Sequence, residues 1–154
     1  MKPNPKDSWS IRRAKIDDAM ALTECMHAAY GEYSNRFGNE RLPPLTVNYA
    51  TEIKEFPVWV AISNELVVGG IIMMPEKEHM TIANVAVSPQ FQGKGLGRGL
   101  LEFAQTEARN QGFKELRLAT HVHLVENITL YTHLGWSETG RDKTRIFMGK
   151  NSRD

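Results

Sequence analysis

The chain is predicted to be an α/β protein built on a mixed sheet, and three stretches predict it. The first is the apolar run Asn84-Val85-Ala86-Val87, which passes through a glycine-dense loop, Gln92 to Gly99, into a segment with Leu96, Leu100, Phe103, Ala104 and Ala108 at helical spacing. The second is Glu115-Leu116-Arg117-Leu118-Ala119-Thr120, which alternates polar and apolar as a strand does. Strand, helix and strand together make a βαβ unit, whose two strands are parallel and whose crossover is right-handed. The third is a pair of apolar runs, Val58–Ile62 and Leu66–Met74, on either side of Ser63-Asn64-Glu65, which reads as a hairpin.

Taken in order, Met1 to Ser8 is a polar tail with two prolines. Trp9 to Lys15 suits a first strand. A helix follows, capped by Asp17 or Asp18, with Ala21, Leu22, Cys25 and Ala29 along its buried face. After a loop containing Pro43-Pro44, Leu45 to Lys54 reads as a second helix. The hairpin comes next, then the strand Met80–Val87 and the helix opened by the glycine loop. That helix ends at Gln111-Gly112, where glycine can take the left-handed conformation of a C-terminal cap. Beyond Thr120 come a further helix and a last hairpin, Ser137–Arg141 with Thr144–Gly149. The order is β-α-α-β-β-β-α-β-α-β-β, in one domain covering 1–154, with no internal repeat.

Composition narrows the function. The 154 residues carry 19 Lys and Arg against 18 Asp and Glu, so nothing suggests a nucleic-acid surface. The single Cys25 excludes an intrachain disulfide and, on an apolar helix face, suggests packing rather than reactivity. The N-terminus lacks the apolar core of a signal peptide, and no apolar run is long enough to span a bilayer. A cytoplasmic protein without membrane partners is expected.

The loop carries the chemistry. Gly93, Gly95 and Gly97 let backbone amides turn toward one point, where a helix N-terminus adds partial positive charge, a combination suited to a phosphate or pyrophosphate. Lys94 and Arg98 place two basic residues at the helix start, where each opposes the dipole and together they call for an anion nearby. A Walker A loop is excluded because Gly93-Lys94 is followed by Gly95. A dinucleotide fingerprint is excluded because Arg98 and Leu100 fall where its last glycine belongs. By itself the loop also fits an ordinary strand-to-helix turn.

Gln92-x-x-Gly95-x-Gly97 resembles the Q/R-x-x-G-x-G/A acyl-CoA pyrophosphate loop of the GNAT superfamily of N-acetyltransferases. Asn127, Leu130-Tyr131 and Leu134-Gly135-Trp136 resemble a second signature of that family, N-x-x-x-L-Y-x-x-L-G-F, with Trp for Phe. The two motifs stand in family order, and the resemblance spans nearly the whole chain. It implies the GNAT fold, a central mixed sheet splayed between two parallel strands, and an acetyltransferase that uses acetyl-CoA as co-substrate.

The same resemblance implies site residues. The pyrophosphate would lie on the backbone from Gln92 through Gly93, Lys94, Gly95 and Leu96 to Gly97, with Lys94 or Arg98 adding charge. The pantetheine arm would pair like an added strand with main-chain groups of Val85 and Val87, and the Val85 amide would stabilise the tetrahedral oxyanion. Tyr131 would protonate the departing thiolate. Asn127 would touch the cofactor, cap the helix that carries Tyr131, or both.

The general base is less legible. An amine of pKa ~10.4 is neutral only about once in 2,500 at pH 7, equivalent to ~4.6 kcal/mol of deprotonation. Many family members carry a carboxylate on the strand before the loop, and Met80–Val87 has none. His79, His121 and His123 are the substitutes, with His121 ranked first as a base acting through water, and each taken alone also reads as a histidine satisfied by a neighbouring group. His121, His123 and Glu126 have a spacing conceivable for zinc, but no metal is expected.

The acceptor would be selected by Tyr30 to Arg41, with Glu32 for an ammonium group and Arg36 or Arg41 for a carboxylate. A primary amine on a small molecule is the expected acceptor. A protein or peptide acceptor and a non-catalytic acyl-CoA-binding regulatory module are the alternatives, and a homodimer is possible.

Overall fold

A computed structural model describes residues 8–31, 33 and 42–154. Seven strands run through it: β1 (Ser10–Arg13), β2 (Val58–Ser63), β3 (Leu66–Pro75), β4 (Met80–Val87), β5 (Glu115–His121), β6 (Ser137–Arg141) and β7 (Arg145–Asn151). Four α-helices join them: α1 (Ala19–Gly31), α2 (Tyr49–Glu55), α3 (Leu96–Asn110) and α4 (Val125–His133). The strands pair in the order β1-β2-β3-β4-β5-β7-β6. Pairing is antiparallel for β1 with β2, β2 with β3, β5 with β7 and β6 with β7. It is parallel for β4 with β5, over Met80–Leu116, Thr81–Arg117 and Ile82–Leu118. The element order is the expected one, in a mixed α/β sheet.

The chain forms two compact units. One holds the described residues up to Ile72 with Asn84–Leu100; the other holds Met73–Ala83 with Leu101–Asp154. In the first, the hairpin turn between β2 and β3 has positive φ at Asn64 (50°) and Glu65 (66°), the conformation a two-residue β-hairpin needs. Gly69 and Gly70 sit where helices press on both faces of β3. A Cβ on Gly70 would lie 2.5 Å from Leu22 of α1, and one on Gly69 would lie 3.2 Å from Leu96 and 3.3 Å from Leu100 of α3. Successive strand residues face opposite ways, so α1 covers one face and the opening of α3 the other. β3 is accordingly buried continuously from Val68 to Met73.

In the second unit β5 alternates cleanly, with Leu116, Leu118 and Thr120 buried. Ala104 and Ala108 of α3 are also fully buried. Ser152 ties the C-terminal end down: its hydroxyl donates to the Phe113 carbonyl at 2.7 Å, and its N–H to Lys114 at 2.9 Å.

Several boundaries differ from expectation. The first strand is Ser10–Arg13, and β7 runs on to Asn151. The second helix starts at Tyr49, not Leu45, because Pro43–Leu45 forms a short 3-10 turn and Asn48 caps α2 by accepting the Thr51 N–H at 3.2 Å. Asp17 and Asp18 belong to a 3-10 turn ahead of α1. The Asp18 carboxylate accepts the Lys15 N–H at 2.7 Å and both Arg12 guanidinium nitrogens at 2.7 and 2.9 Å. The bidentate Arg12 contact holds the Asp18 carboxyl below its usual range. The buried face of α1 is Leu22, Cys25, Met26, Ala29 and Tyr30, with Ala21 only half-buried.

Candidate functional site

The glycine loop lies wholly in the first unit. A 3-10 turn, Pro89–Phe91, leads into Gln92, and residues 92–95 are exposed. Gly93 has φ 78° and Gly95 φ 87°, a region that costs a residue with a side chain roughly 1–2 kcal/mol. A Cβ on Gly93 would meet nothing within 4 Å, so the loop faces open space. The helix that follows is anchored by Leu96 and Leu100, both fully buried. Beneath it, Trp9 packs edge-on against Phe91 (ring centroids 6.2 Å apart) and lies 3.4 Å from where a Gly99 Cβ would stand. Lys94 places its ammonium 5.6 Å from the centre of the Phe91 ring. The first turn of α3 holds Gly97 and Arg98 and no acidic residue.

The strand entering this loop offers a matching edge. The Ser88 N–H donates to Val68 of β3 at 2.8 Å. Peptide groups alternate along a strand, so those of Val85 and Val87 point away from β3. Both of their carbonyls are engaged by side chains of the same unit. The Gln92 side-chain amide donates to the Val87 carbonyl at 3.2 Å, and the Tyr30 hydroxyl donates to the Val85 carbonyl at 2.6 Å. Gln92 therefore ties the loop to the strand, while the N–H groups of Val85 and Val87 lie along the same outward edge.

Tyr131 belongs to the second unit, and the Leu134-Gly135-Trp136 motif explains how it is held. Gly135 (φ 95°) ends α4 in the left-handed conformation. The Trp136 N–H reaches back to the Tyr131 carbonyl at 3.0 Å and the Gly135 N–H to Thr132 at 3.1 Å, the paired bonds of a Schellman cap. Its apolar contact is present as well: the Trp136 and Tyr131 rings are 6.1 Å apart. The Lys150 ammonium completes the cap by donating to the Leu134 carbonyl at 2.8 Å. Tyr131 is 6% exposed, and that burial pushes its phenol above the ordinary tyrosine value. Among the described residues its hydroxyl donates no hydrogen bond.

Asn127 is the third residue of α4, and the cap position is Leu124, which makes no side-chain cap bond. The capping alternative for Asn127 is therefore not what this helix uses. β5 stops at His121, so strand alternation does not carry through to His123. Their rings still approach to 5.1 Å, and the His123 N–H donates to Nδ1 of His121 at 3.1 Å. His79 meets the Glu76 carboxylate at 3.0 Å. No cluster of three or more His, Cys, Asp or Glu able to hold a metal occurs among the described residues. Of the acceptor segment, Glu32, Arg36 and Arg41 lie outside the described residues.

Sequence reasoning missed two parts of this arrangement. Tyr30 opens the acceptor segment, but its spacing from Leu22, Met26 and Ala29 puts it on the buried face of α1, where a tyrosine hydroxyl needs a partner. Lys150 had no local signal, because its carbonyl partner is sixteen residues away.

The fold, the loop and the α4 motif define an acyltransferase-type domain, and comparison with known proteins agrees. Residues 54–138, more than half of the chain, match the acetyltransferase (GNAT) domain family, and the chain belongs to it. N-acetyltransferase 8B of Rattus norvegicus is 34% identical over 89 residues, covering 54% of this chain and 40% of its own length. The uncharacterized N-acetyltransferase YjgM of Escherichia coli is 37% identical over 82 residues, covering 51% of this chain and 49% of its own. The chain thus spans about half or less of the curated relatives it matches. The fold is shared with the PaiA N-acetyltransferase of Thermoplasma acidophilum, solved with coenzyme A. That match has a TM-score of 0.85 at 19% identity, over 94% of this chain and 99% of that one. YncA of Salmonella typhimurium, a putative acetyltransferase solved with acetyl-CoA, matches at TM-score 0.72 and 23% identity, over 96% and 95%. No described helix is long and apolar enough to cross a membrane.

Proposed function

We propose that the chain transfers the acetyl group of acetyl-CoA to a primary amine of a small molecule by direct attack on the thioester. The observation that carries this reading is the exposed, positive-φ glycine loop at the start of α3, entered by a strand whose Val85 and Val87 peptides face outward. The loop amides from Gln92 to Gly97 suit a pyrophosphate, with Lys94 and Arg98 as nearby cations. The outward peptide edge suits the amides of the pantetheine arm.

In this reading the amine nitrogen bonds to the thioester carbon, and the oxygen becomes an oxyanion held by the Val85 N–H. The carbon–sulfur bond then breaks, and the thiolate takes its proton from the Tyr131 hydroxyl. An ordinary phenol near pKa ~10 is a weak but workable donor to a thiol near ~8.5. Burial raises both in the same sense, since each loses solvation of its anion. Cys25 shows this within the same chain, its buried thiol being pushed up to about 11. Asn127 serves as a further cofactor contact.

The amine proton leaves through water. His121 takes part only by giving up the His123 N–H bond to Nδ1, because a ring nitrogen already accepting a hydrogen bond cannot take a proton there. The absence of a carboxylate on β4 favours one second reading, a non-catalytic acyl-CoA-binding module.

The test is acetyl-CoA-dependent thiol release across polyamines, amino acids, aminoglycosides and short peptides, with calorimetric acetyl-CoA binding alongside. Release with one small-amine class is the expected result. Release with peptides alone would move the acceptor to a protein, binding without release would favour the module, and no binding would overturn the reading.

A further inference from the structure

One contact at the outward edge of β4 touches no reacting atom of the proposed transfer. The Tyr30 hydroxyl, at the end of α1, donates to the Val85 carbonyl at 2.6 Å across 55 residues of sequence. Tyr30 is 9% exposed, on the buried face of α1. The end of α1 is thus joined to β4 at the Val85 carbonyl, on the strand's outward edge.

A strand residue presents its N–H and C=O on one edge. Fixing the carbonyl of Val85 therefore restricts rotation of the adjoining peptides and with it the direction of the Val85 N–H. Catalytic hydrogen-bond donors are effective when they are already aimed at the developing charge, so that nothing reorganises during reaction. A peptide free to rock by a few tens of degrees would lose that advantage.

We propose that Tyr30 is a positioning residue, whose hydroxyl fixes the Val85 carbonyl and, through the φ and ψ of Val85, aims the neighbouring Val85 N–H at the thioester carbonyl of bound acetyl-CoA. The inference rests on the proposed acetyl-CoA reading. Tyr30 touches no reacting atom in it; the residue acts through Val85.

The test compares the intact chain with Tyr30→Phe, which keeps the buried ring and removes the hydroxyl. Acetyl-CoA labelled with 13C at the thioester carbonyl is bound to each protein, with affinity measured by calorimetry and the carbonyl band by isotope-edited infrared difference spectroscopy. Expected is a band shifted to low frequency in the wild-type complex, as a hydrogen-bonded carbonyl shows. In Tyr30→Phe the band should move back toward the free value and broaden, with affinity changed less than about threefold and turnover of any accepted amine down about tenfold, the worth of one hydrogen bond. Tyr30→Leu, which also disturbs packing, should lower the melting temperature further without moving the band beyond the Phe variant. An identical band in wild type and Tyr30→Phe overturns the inference while leaving acetyl-CoA binding intact. Failure of the wild-type chain to bind acetyl-CoA overturns the parent reading and the inference together.

Discussion

The glycine loop and the Tyr131 helix end both turn on a left-handed glycine, yet they are built in opposite ways. At residues 92–95 the loop is exposed, and Gly93 has open space before it. At the end of α4, Gly135 has the Lys150 ammonium 2.7 Å from where its Cβ would be, and the cap closes on a buried Tyr131. The first region spends its glycines on keeping room for something outside the chain. The second spends one on bringing its own side chains together. Ligand affinity should therefore be most sensitive in the loop, and stability and turnover most sensitive at the cap.

The largest expected effect is Gly97→Glu. Gly97 lies in the first turn of α3, half-buried, where a carboxylate would occupy and charge the proposed phosphate cradle. Acetyl-CoA affinity measured by calorimetry should fall by at least about a hundredfold, given that like charges brought together at an interface cost several kcal/mol. A carboxylate near a helix N-terminus is not itself unfavourable, so the variant should melt close to wild type. Unchanged affinity would break the loop side of the comparison.

Tyr131→Phe comes next and probes the other region. Turnover should drop about a hundredfold, the scale of a lost general acid, while acetyl-CoA affinity stays within about twofold. Equal damage to both would make the tyrosine structural. The pH dependence adds a signed check. Burial raises the folded phenol above its unfolded value near ~10, so the folded state keeps a proton that the unfolded state releases. That contribution to stability is present below about pH 10 and is lost as pH rises toward the folded value. Between about pH 9 and 11 the Phe variant should therefore lose less melting temperature than wild type. A parallel fall would mean the hydroxyl is solvated.

The contrast also accounts for what was legible in the sequence. Gly93, Gly95 and Gly97 announce their loop because the constraint is a backbone conformation that residue identity itself encodes. Leu134-Gly135-Trp136 is readable for the same reason, and the structure adds why Trp serves there: its ring packs on Tyr131 while its N–H closes the cap. The element order follows from periodicity, except α4, which the family motif implies. The start of α2 did not, since Pro43-Pro44-Leu45 takes a 3-10 turn and Asn48 caps the helix four residues later than expected. Tyr30 on Val85 and Lys150 on Leu134 join distant segments, and no local pattern ranks such partners. His121 stands out by its place at a strand end, while the bond its Nδ1 accepts from the His123 backbone has no sequence signature.

The smallest effects come from alanine at the two glycines, and they sharpen the comparison most. At Gly93 the added methyl meets no atom, so the cost is backbone strain alone, about 1 kcal/mol, which lowers the melting temperature of a chain this size by roughly 2–4 °C. The same strain reorients the loop amides, so acetyl-CoA affinity should fall several-fold. At Gly135 a comparable strain is joined by the Lys150 clash, and the flexible ammonium relieves it by leaving the Leu134 carbonyl. Losing that charged bond brings the total to about 2–3 kcal/mol, or roughly 5–10 °C, with turnover reduced through Tyr131 and affinity nearly unchanged. Melting curves and calorimetry on the two variants should thus give opposite rankings. Two variants that lose affinity and stability in the same proportion would mean the loop and the cap are one cooperative structure, and the division of labour between them would fail.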